Sequence, residues 1–390
     1  MPEICELCSR DTLKAVYTPE RSQRNISVQI CAHCGLVQSL PRADRAQRRA
    51  PAVSSGADWG NVRYGKGFRT NIALDAVLRR YKPWDSFSLL DVGSNRGNFA
   101  RTLLDATSNA TIVAVEPDER VAQSCADLER LELHVGRVED IALESGRFDI
   151  VHSCHTIEHL AHPGQVLADH WRCLHDGGLL ILDAPNIALI GADDIVEEWF
   201  IDKHLTHFSE RTLTRMVEAA GFLILEKPSS YDRENLFLVA KKSIQANGAI
   251  AADPAEVEKA QDLMASYIAA RARNLAALTA VSVELMSLAP KGVAMWGAGR
   301  IFDSLVVHGR FDVKTLRLLI DTHLKAYVGE RHGCTLAAPD ALAAADPGVI
   351  VVMSRGFADE IATEARRLAP NAEIILYTDL LSRARARLAA

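Results

Sequence analysis

The stretch that most restricts the fold of this chain is Leu89–Leu104, LLDVGSNRGNFARTLL. An apolar run closes on Asp91, Gly93 and Gly97 follow four residues apart, and Phe99, Leu103 and Leu104 repeat at helical spacing. This reads as a strand, a tight glycine turn and a helix, with backbone exposed for a ligand to approach. The next apolar run, Thr111–Val115, ends in Glu116. A carboxylate at the end of the second strand of an open α/β sheet suits the two hydroxyls of a ribose. A nicotinamide fingerprint asks for three glycines as G-x-G-x-x-G, and residues 93–98 read GSNRGN.

From 87 to 240 short apolar runs alternate with helical patterns, which predicts a doubly wound parallel sheet. Strands are expected near 88–92, 111–115, 131–135, 149–153 and 178–183, with an antiparallel pair near 222–227 and 235–240. The glycine turn and Glu116 resemble the cofactor loops of class I S-adenosylmethionine-dependent methyltransferases. That resemblance implies a cofactor held by Asp91, Gly93, Ser94, Asn95, Gly97 and Glu116, with Val138 of the Gly136–Asp140 loop beside the adenine. In related enzymes an acid commonly follows that loop's glycine; here it is Arg137.

Four of the eight cysteines form two pairs, Cys5-x-x-Cys8 and Cys31-x-x-Cys34, with 22 residues between them. This spacing suits a tetrahedral thiolate zinc site. A segment so short builds no core, so the metal supplies its folding energy. Four thiolates leave no open position, which favours a structural ion over a catalytic one. Ile26, Val28 and Ile30 alternate as in a hairpin, and His33 reads as a surface residue. Cys125, Cys154, Cys173 and Cys334 read as buried small apolar residues.

The remaining segments are less specific. Residues 41–62, with Arg42, Arg45, Arg48 and Arg49, read as a linker with a solvated basic face. A helix is expected over 66–81 with Phe68, Ile72, Leu74, Ala76 and Leu78 near one face, and Tyr64 is a candidate pocket residue. Residues 241–253 form a second linker. Pro254–Ala289 reads as one or two long helices with Leu263, Tyr267, Leu275, Leu278, Val281 and Leu285 as the buried stripe. Val293–Arg300 starts a second strand–glycine turn–helix unit, followed by a strand at Leu316–Ile320 ending in Asp321 and strands near 348–352 and 373–377.

Polar ionisable groups cluster where parallel strands end, the place open α/β sheets use for their sites. The fourth strand leads into Cys154-His155-Thr156-Ile157-Glu158-His159, and the fifth ends in Asp183. His204 and His207 lie in a loop before Ser209, an N-cap with Glu210 in the first helical turn. His204 is favoured as functional and His207 as packing against Phe208. The net charge of −6 argues against general nucleic-acid binding. No apolar run approaches a membrane span, and MPEICELCSR lacks a signal-peptide pattern, so a cytoplasmic protein with reduced cysteines is expected.

The order of parts resembles the three-domain sugar C-methyltransferases: a CxxC…CxxC ribbon (1–45), a methyltransferase core with DVGSNRG (62–242), a helical connector (254–289) and a Rossmann-like terminal domain with GAGR…IDTHLKAYVG (290–390). The resemblance implies methylation of a carbon in a nucleotide-linked 4-keto-deoxysugar. A histidine removes the acidified proton, and the enolate carbon attacks the sulfonium methyl. The family's histidines fall on His159 and His204. Three positions depart from the family: Arg96 for an aspartate, Lys203 for a glutamate and Ile201 for a tyrosine. Methylation of an oxygen or nitrogen on a sugar or natural-product intermediate is the near alternative. An NAD-dependent oxidoreductase using Gly297–Gly299 and a non-catalytic zinc-ribbon binding protein are the distant ones.

Overall fold

The computed structural model describes residues 3–20, 22, 24–42, 68–119, 123–125, 127–227, 235–243, 248–326 and 328–389. Tyr64, Arg45, Arg48 and Arg49 lie outside them. The chain divides into two compact units, residues 1–190 with 200–264 and residues 191–199 with 265–390.

The first unit begins with three antiparallel strands, β1 (Leu13–Tyr17), β2 (Ser27–Cys31) and β3 (Val37–Leu40). Ile26, Val28 and Ile30 all point inward, as their alternation predicts. Arg42, expected on a solvated linker, instead pairs with Glu6 and Gln38 of this ribbon. His33 is half-buried and bonds the Ile250 carbonyl, apart from the cysteines.

Helix α1 (Phe68–Leu78) ends three residues before the expected 81, and its buried face is Ala73, Ala76 and Val77. The larger Ile72, Leu74 and Leu78 lie at the margin of that face. Small residues let the helix sit close to the sheet. The sheet holds β4 (Ser86–Val92), β5 (Asn109–Glu116), β6 (Leu131–Val135), β7 (Phe148–Cys154), β8 (Leu174–Pro185), β10 (Phe222–Glu226) and β11 (Asn235–Lys242). Their order is β10-β11-β8-β7-β4-β5-β6. β11 runs antiparallel to its neighbours β8 and β10, and the remaining pairs are parallel.

Both sheet faces are covered, which explains the continuous apolar runs. Leu89, Ile112, Ile150 and Ile181 pack on one side with Phe99, Leu103 and Ala76. Their sequence neighbours Leu90, Val113, Val151 and Leu180 pack on the other with Leu213 and Met216. Helix α2 (Asn98–Ala106) buries Phe99, Ala100, Leu103 and Leu104, one face at helical spacing. Helix α3 (Pro163–Cys173) precedes β8. Strand β9 (Thr206–His207) pairs with β3 of the ribbon, so His207 belongs to a strand rather than a loop. Helix α4 (Glu210–Ala219) starts at Ser209, whose hydroxyl accepts the Thr212 N–H in a capping box.

Helix α5 (Pro254–Leu288) is a single element. Tyr267, Leu278, Val281 and Leu285 are buried as expected, but Leu263 and Leu275 are only half-buried. Polar Arg271, Asn274 and Ser282 take places in the buried stripe.

The second unit holds β12 (Val293–Trp296), β13 (Leu316–Ile320), β14 (Glu330–Arg331), β15 (Cys334–Ala337), β16 (Val349–Val352) and β17 (Glu373–Leu376), ordered β14-β15-β13-β12-β16-β17. All pairs are parallel except β14 with β15. Helices α6 (Arg300–Val307), α7 (Ala341–Ala345), α8 (Ala358–Leu368) and α9 (Tyr377–Ala389) complete it. Among the described residues no helix is long and apolar enough to cross a membrane.

Candidate functional site

The glycine turn after β4 is built by backbone geometry. Gly93, Asn95 and Gly97 have φ of 74°, 49° and 71°. The N–H groups of Gly93 and Ser94 both reach the Val115 carbonyl, at 2.8 and 3.1 Å. Glu116 follows immediately. Its Oε2 accepts the Asn95 N–H and its Oε1 the Asp118 N–H, each at 2.9 Å. Burial raises the Glu116 pKa, and the two N–H bonds oppose that shift. The carboxylate is thus fixed, while each oxygen keeps a lone pair for a further donor.

A β-carbon at Gly93 would stand 2.0 Å from Thr156 Oγ1, and one at Gly97 would stand 2.7 Å from Cys125 Cβ. Gly97 therefore admits the neighbouring Cys125 as well as shaping the loop. Asp91 is buried, and its Oδ1 lies 2.7 Å from His152 Nδ1. The His152 ring stacks 3.9 Å from that of Phe99. Asp91 therefore anchors the strand end to β7. Ser94 is also buried. The Gly136 N–H bonds the Glu116 carbonyl at 3.0 Å, which starts the loop carrying buried Val138 beside Glu116. The seven residues expected at the cofactor thus gather at the carboxyl ends of β4 and β5 and the loop after β6.

A second cluster lies at the ends of β7 and β8. Glu158 is 2% exposed, and neither of its carboxylate oxygens has a hydrogen-bond partner among the described residues. Its Oε1 lies 3.7 Å from His159 Nε2 and 3.4 Å from His155 Nδ1. Desolvation raises the Glu158 pKa, and His159, Arg69 and Lys203 oppose it. His159 Nδ1 donates to the Lys203 carbonyl at 2.9 Å, and a carbonyl only accepts. The lone pair of His159 is therefore on Nε2. The rings of His159 and His204 have centroids 4.8 Å apart. Forty-four residues of sequence lie between them, and the fold sets them side by side.

Three neighbours join this cluster: His155 and Asp183, to which the sequence reading gives no role, and Arg69, which it does not name. His155 has φ of 49°, unusual for a residue with a β-carbon, and its Nε2 lies 2.7 Å from Asn235 Oδ1. Arg69 also donates to that oxygen, at 3.2 Å. Asp183 is buried at the end of β8, 3.5 Å from Cys154 Sγ. Cys154 is accordingly half-buried and polar in its contacts rather than a core residue, and Cys334 is half-buried too. The one available signal was the density of ionisable residues in 154–159. His207 is buried against Phe200, edge-on at 4.7 Å, and bonds Ser39 Oγ at 2.8 Å. It is structural as expected, but the ring it packs on is Phe200 and not Phe208.

Cys5, Cys8, Cys31 and Cys34 bring their sulfurs within 4.8 Å of one another. Cys5–Cys34 and Cys8–Cys31 are each 3.5 Å apart. Four sulfurs about 2.3 Å from a common zinc stand close to this spacing.

A seven-stranded sheet with one reversed strand, a glycine turn after its first strand and an acid after its second define a class I methyltransferase fold. Residues 47–227 match the family model described as a methyltransferase domain, so this part of the chain is an S-adenosylmethionine-dependent methyltransferase domain. The chain is similar to an uncharacterised 37.1 kDa protein of transposon Tn4556 from Streptomyces fradiae, 26% identical over 40% of this chain and 47% of that one. It is 28% identical to the ubiquinone biosynthesis O-methyltransferase of Azorhizobium caulinodans over 40% of this chain and 70% of that one. The chain thus spans about half the length of the first of these relatives. Among solved structures it is similar to a Burkholderia thailandensis 1,6-didemethyltoxoflavin N1-methyltransferase, with 18% identity, 59% of this chain and 99% of the other covered, and a TM-score of 0.41.

Proposed function

We propose that this protein transfers the methyl group of S-adenosylmethionine to a small-molecule acceptor, a carbon of a nucleotide-linked keto-deoxysugar. The observation that carries the methyl-donor half is Glu116, held at the rim of the glycine turn by two backbone N–H groups with lone pairs to spare. It would take the ribose hydroxyls, with Asp91, Gly93, Ser94, Asn95 and Gly97 shaping the loop and Val138 beside the adenine. His159 and His204 would activate the acceptor where its proton is lost. The methyl carbon bonds to the acceptor, the S–C electron pair returns to sulfur, and neutral S-adenosylhomocysteine leaves.

Cys5, Cys8, Cys31 and Cys34 would hold a structural Zn²⁺. The parts expected from the sequence, a ribbon over 1–45, a core over 62–242, a connector over 254–289 and a terminal domain over 290–390, remain our proposed division. A second reading is O-methylation, favoured by the likeness to the Azorhizobium protein.

Calorimetry with S-adenosylhomocysteine tests the donor site: a binding heat is expected, and its absence would overturn the reading. Incubating labelled S-adenosylmethionine with a nucleotide-linked 4-keto-deoxysugar, then locating the label, separates carbon from oxygen. His159→Ala and His204→Ala should each lower turnover by about 10²–10⁴-fold with donor affinity intact. Cys5→Ser should lose zinc.

A further inference from the structure

The strongest unexplained feature of the molecule is Glu158. A buried carboxylate without a hydrogen bond is costly, and such a group asks for a missing partner. The ring nitrogens that face it carry lone pairs: His155 Nε2 donates to Asn235 Oδ1, which leaves its Nδ1 bare 3.4 Å from Glu158 Oε1. His159 Nδ1 spends its hydrogen on the Lys203 carbonyl, which turns the Nε2 lone pair toward the carboxylate at 3.7 Å. Two electron-rich atoms that meet in this way repel unless a positive centre lies between them. Arg69 and Lys203 act on Glu158 through space, without a hydrogen bond to it.

We propose that Glu158, His159 and His204 form a binding site for a divalent transition-metal cation. One ligand atom from each residue lies within 4.8 Å of the other two. Ligand atoms about 2.1 Å from one ion stand about 3.0–3.6 Å apart, so a small side-chain rotation closes the set. The outer contact is also of the kind metal sites use: a ligating histidine donates its other ring nitrogen to a carbonyl, which fixes its tautomer. His155, whose Nδ1 is 3.4 Å from Glu158, is the fourth donor on the carboxylate side. Two imidazoles and one carboxylate select borderline ions such as Zn²⁺, Fe²⁺, Mn²⁺ or Co²⁺ and leave coordination positions open.

The open positions give the ion a use. A hydroxyl or carbonyl oxygen of the acceptor would bind it, so that His159 and His204 act on the acceptor through the ion, which would stabilise the negative charge left when the acceptor's proton passes to water. This deepens the methyl-transfer reading. It rests on that reading for the ion's use but not for its binding.

Cobalt titration of the full chain tests the site without turnover. Thiolate-bound Co²⁺ at the ribbon shows strong sulfur-to-metal charge transfer, whereas the Glu–His–His site shows only weak d–d bands. The expected result is a binding event of the second kind, weakened at least about 10-fold in Glu158→Gln and in His204→Ala, with the thiolate spectrum and melting temperature retained as evidence of folding. The proposal is overturned if every bound cobalt shows thiolate character, or if the weaker bands persist unchanged in both variants. Calorimetry with S-adenosylhomocysteine reports on the methyl donor separately, so failure of one reading does not mimic failure of the other.

Discussion

The two α/β units use the same device at their first strand and differ in what surrounds it. In the first, the Gly93 N–H bonds the carbonyl of Val115 and Glu116 follows; in the second, the Gly297 N–H bonds the carbonyl of Ile320 at 2.8 Å and Asp321 follows. Asp321 ties itself to backbone N–H groups just as Glu116 does, accepting Ala298 at 3.0 Å and Leu324 at 2.7 Å. The acid after the second strand therefore serves first to brace the turn. Binding a ligand is a second task that only its surroundings decide.

Those surroundings diverge. The first turn needs both glycines, since each has a positive φ and close neighbours at its missing β-carbon. In the second, Gly297 has a φ of 116° with Met353 O 2.9 Å from its would-be β-carbon, while Gly299 faces open space. The crevice at the ends of β12 and β16, where strand order reverses, is the usual ligand place of such a sheet. Here the chain's own segment 191–199 supplies carboxylates to it. Arg355 pairs with Glu197 and, at 3.1 Å, with Asp194. Tyr267 donates to Glu198 at 2.8 Å, and Asn274 holds the Asp193 and Ile195 carbonyls. A nicotinamide cofactor would have to compete with these acids, which weighs against the oxidoreductase alternative.

The largest expected effect separates the units. Arg355→Ala leaves the Glu197 carboxylate without its guanidinium, and should destabilise the second unit by about 3–5 kcal/mol. Chemical denaturation should show this with S-adenosylhomocysteine affinity unchanged; a lost affinity would erase the distinction between the units.

Acid should then strike the first unit. Buried His170 has no partner at either ring nitrogen, and desolvation lowers its pKa to about 4. Because the folded value lies below the unfolded one near 6.5, its contribution is complete above pH 6.5 and is lost as pH falls toward 4. The cost is on the order of 2–3 kcal/mol by linkage. In His170→Leu the melting temperature should depend less on pH across that window. An unchanged slope would refute the assignment. Among the described residues, no histidine of the second unit is buried.

Next comes the acid itself. Glu116→Ala should weaken donor affinity about 10–100-fold, a loss of roughly 1.4–2.7 kcal/mol. Asp321→Ala should lower stability and leave the calorimetric affinity as it is. Equal effects on binding would mean that the two turns share a role. The smallest contrast is between glycines. Gly93→Ala should cost about 1–3 kcal/mol from its φ and its clash with Thr156. Gly299→Ala, with φ of −84° and nothing near, should stay within about 0.5 kcal/mol in thermal melts.

Much of this architecture was legible from residue order alone. The strands of the first sheet fall where apolar runs place them, because a sheet covered on both faces leaves an uninterrupted signal. Both glycine turns and their acids were equally visible, since their spacing is local. Short β15 went unnoticed because Leu336 is the one buried residue of Cys334–Ala337, which leaves no apolar run. The buried stripe of α5 was misjudged for a related reason: Arg271 and Asn274 are buried by partners distant in sequence, such as Ile195 for Asn274. His159 and His204 stood out by residue type, but the importance of Glu158 did not. A carboxylate's missing hydrogen bonds are a property of the folded interior, invisible in a string of letters.

The placement of segment 191–199 bears on how such a chain can be dissected or recombined. Because that stretch interrupts the first unit and belongs to the second, the second unit is not a simple appendage. A gene cut after Met264 would strip Asp194, Glu197 and Glu198 of Arg355 and Tyr267 while leaving the acids themselves behind. Grafting a foreign terminal segment therefore calls for a donor that brings its own matching insert.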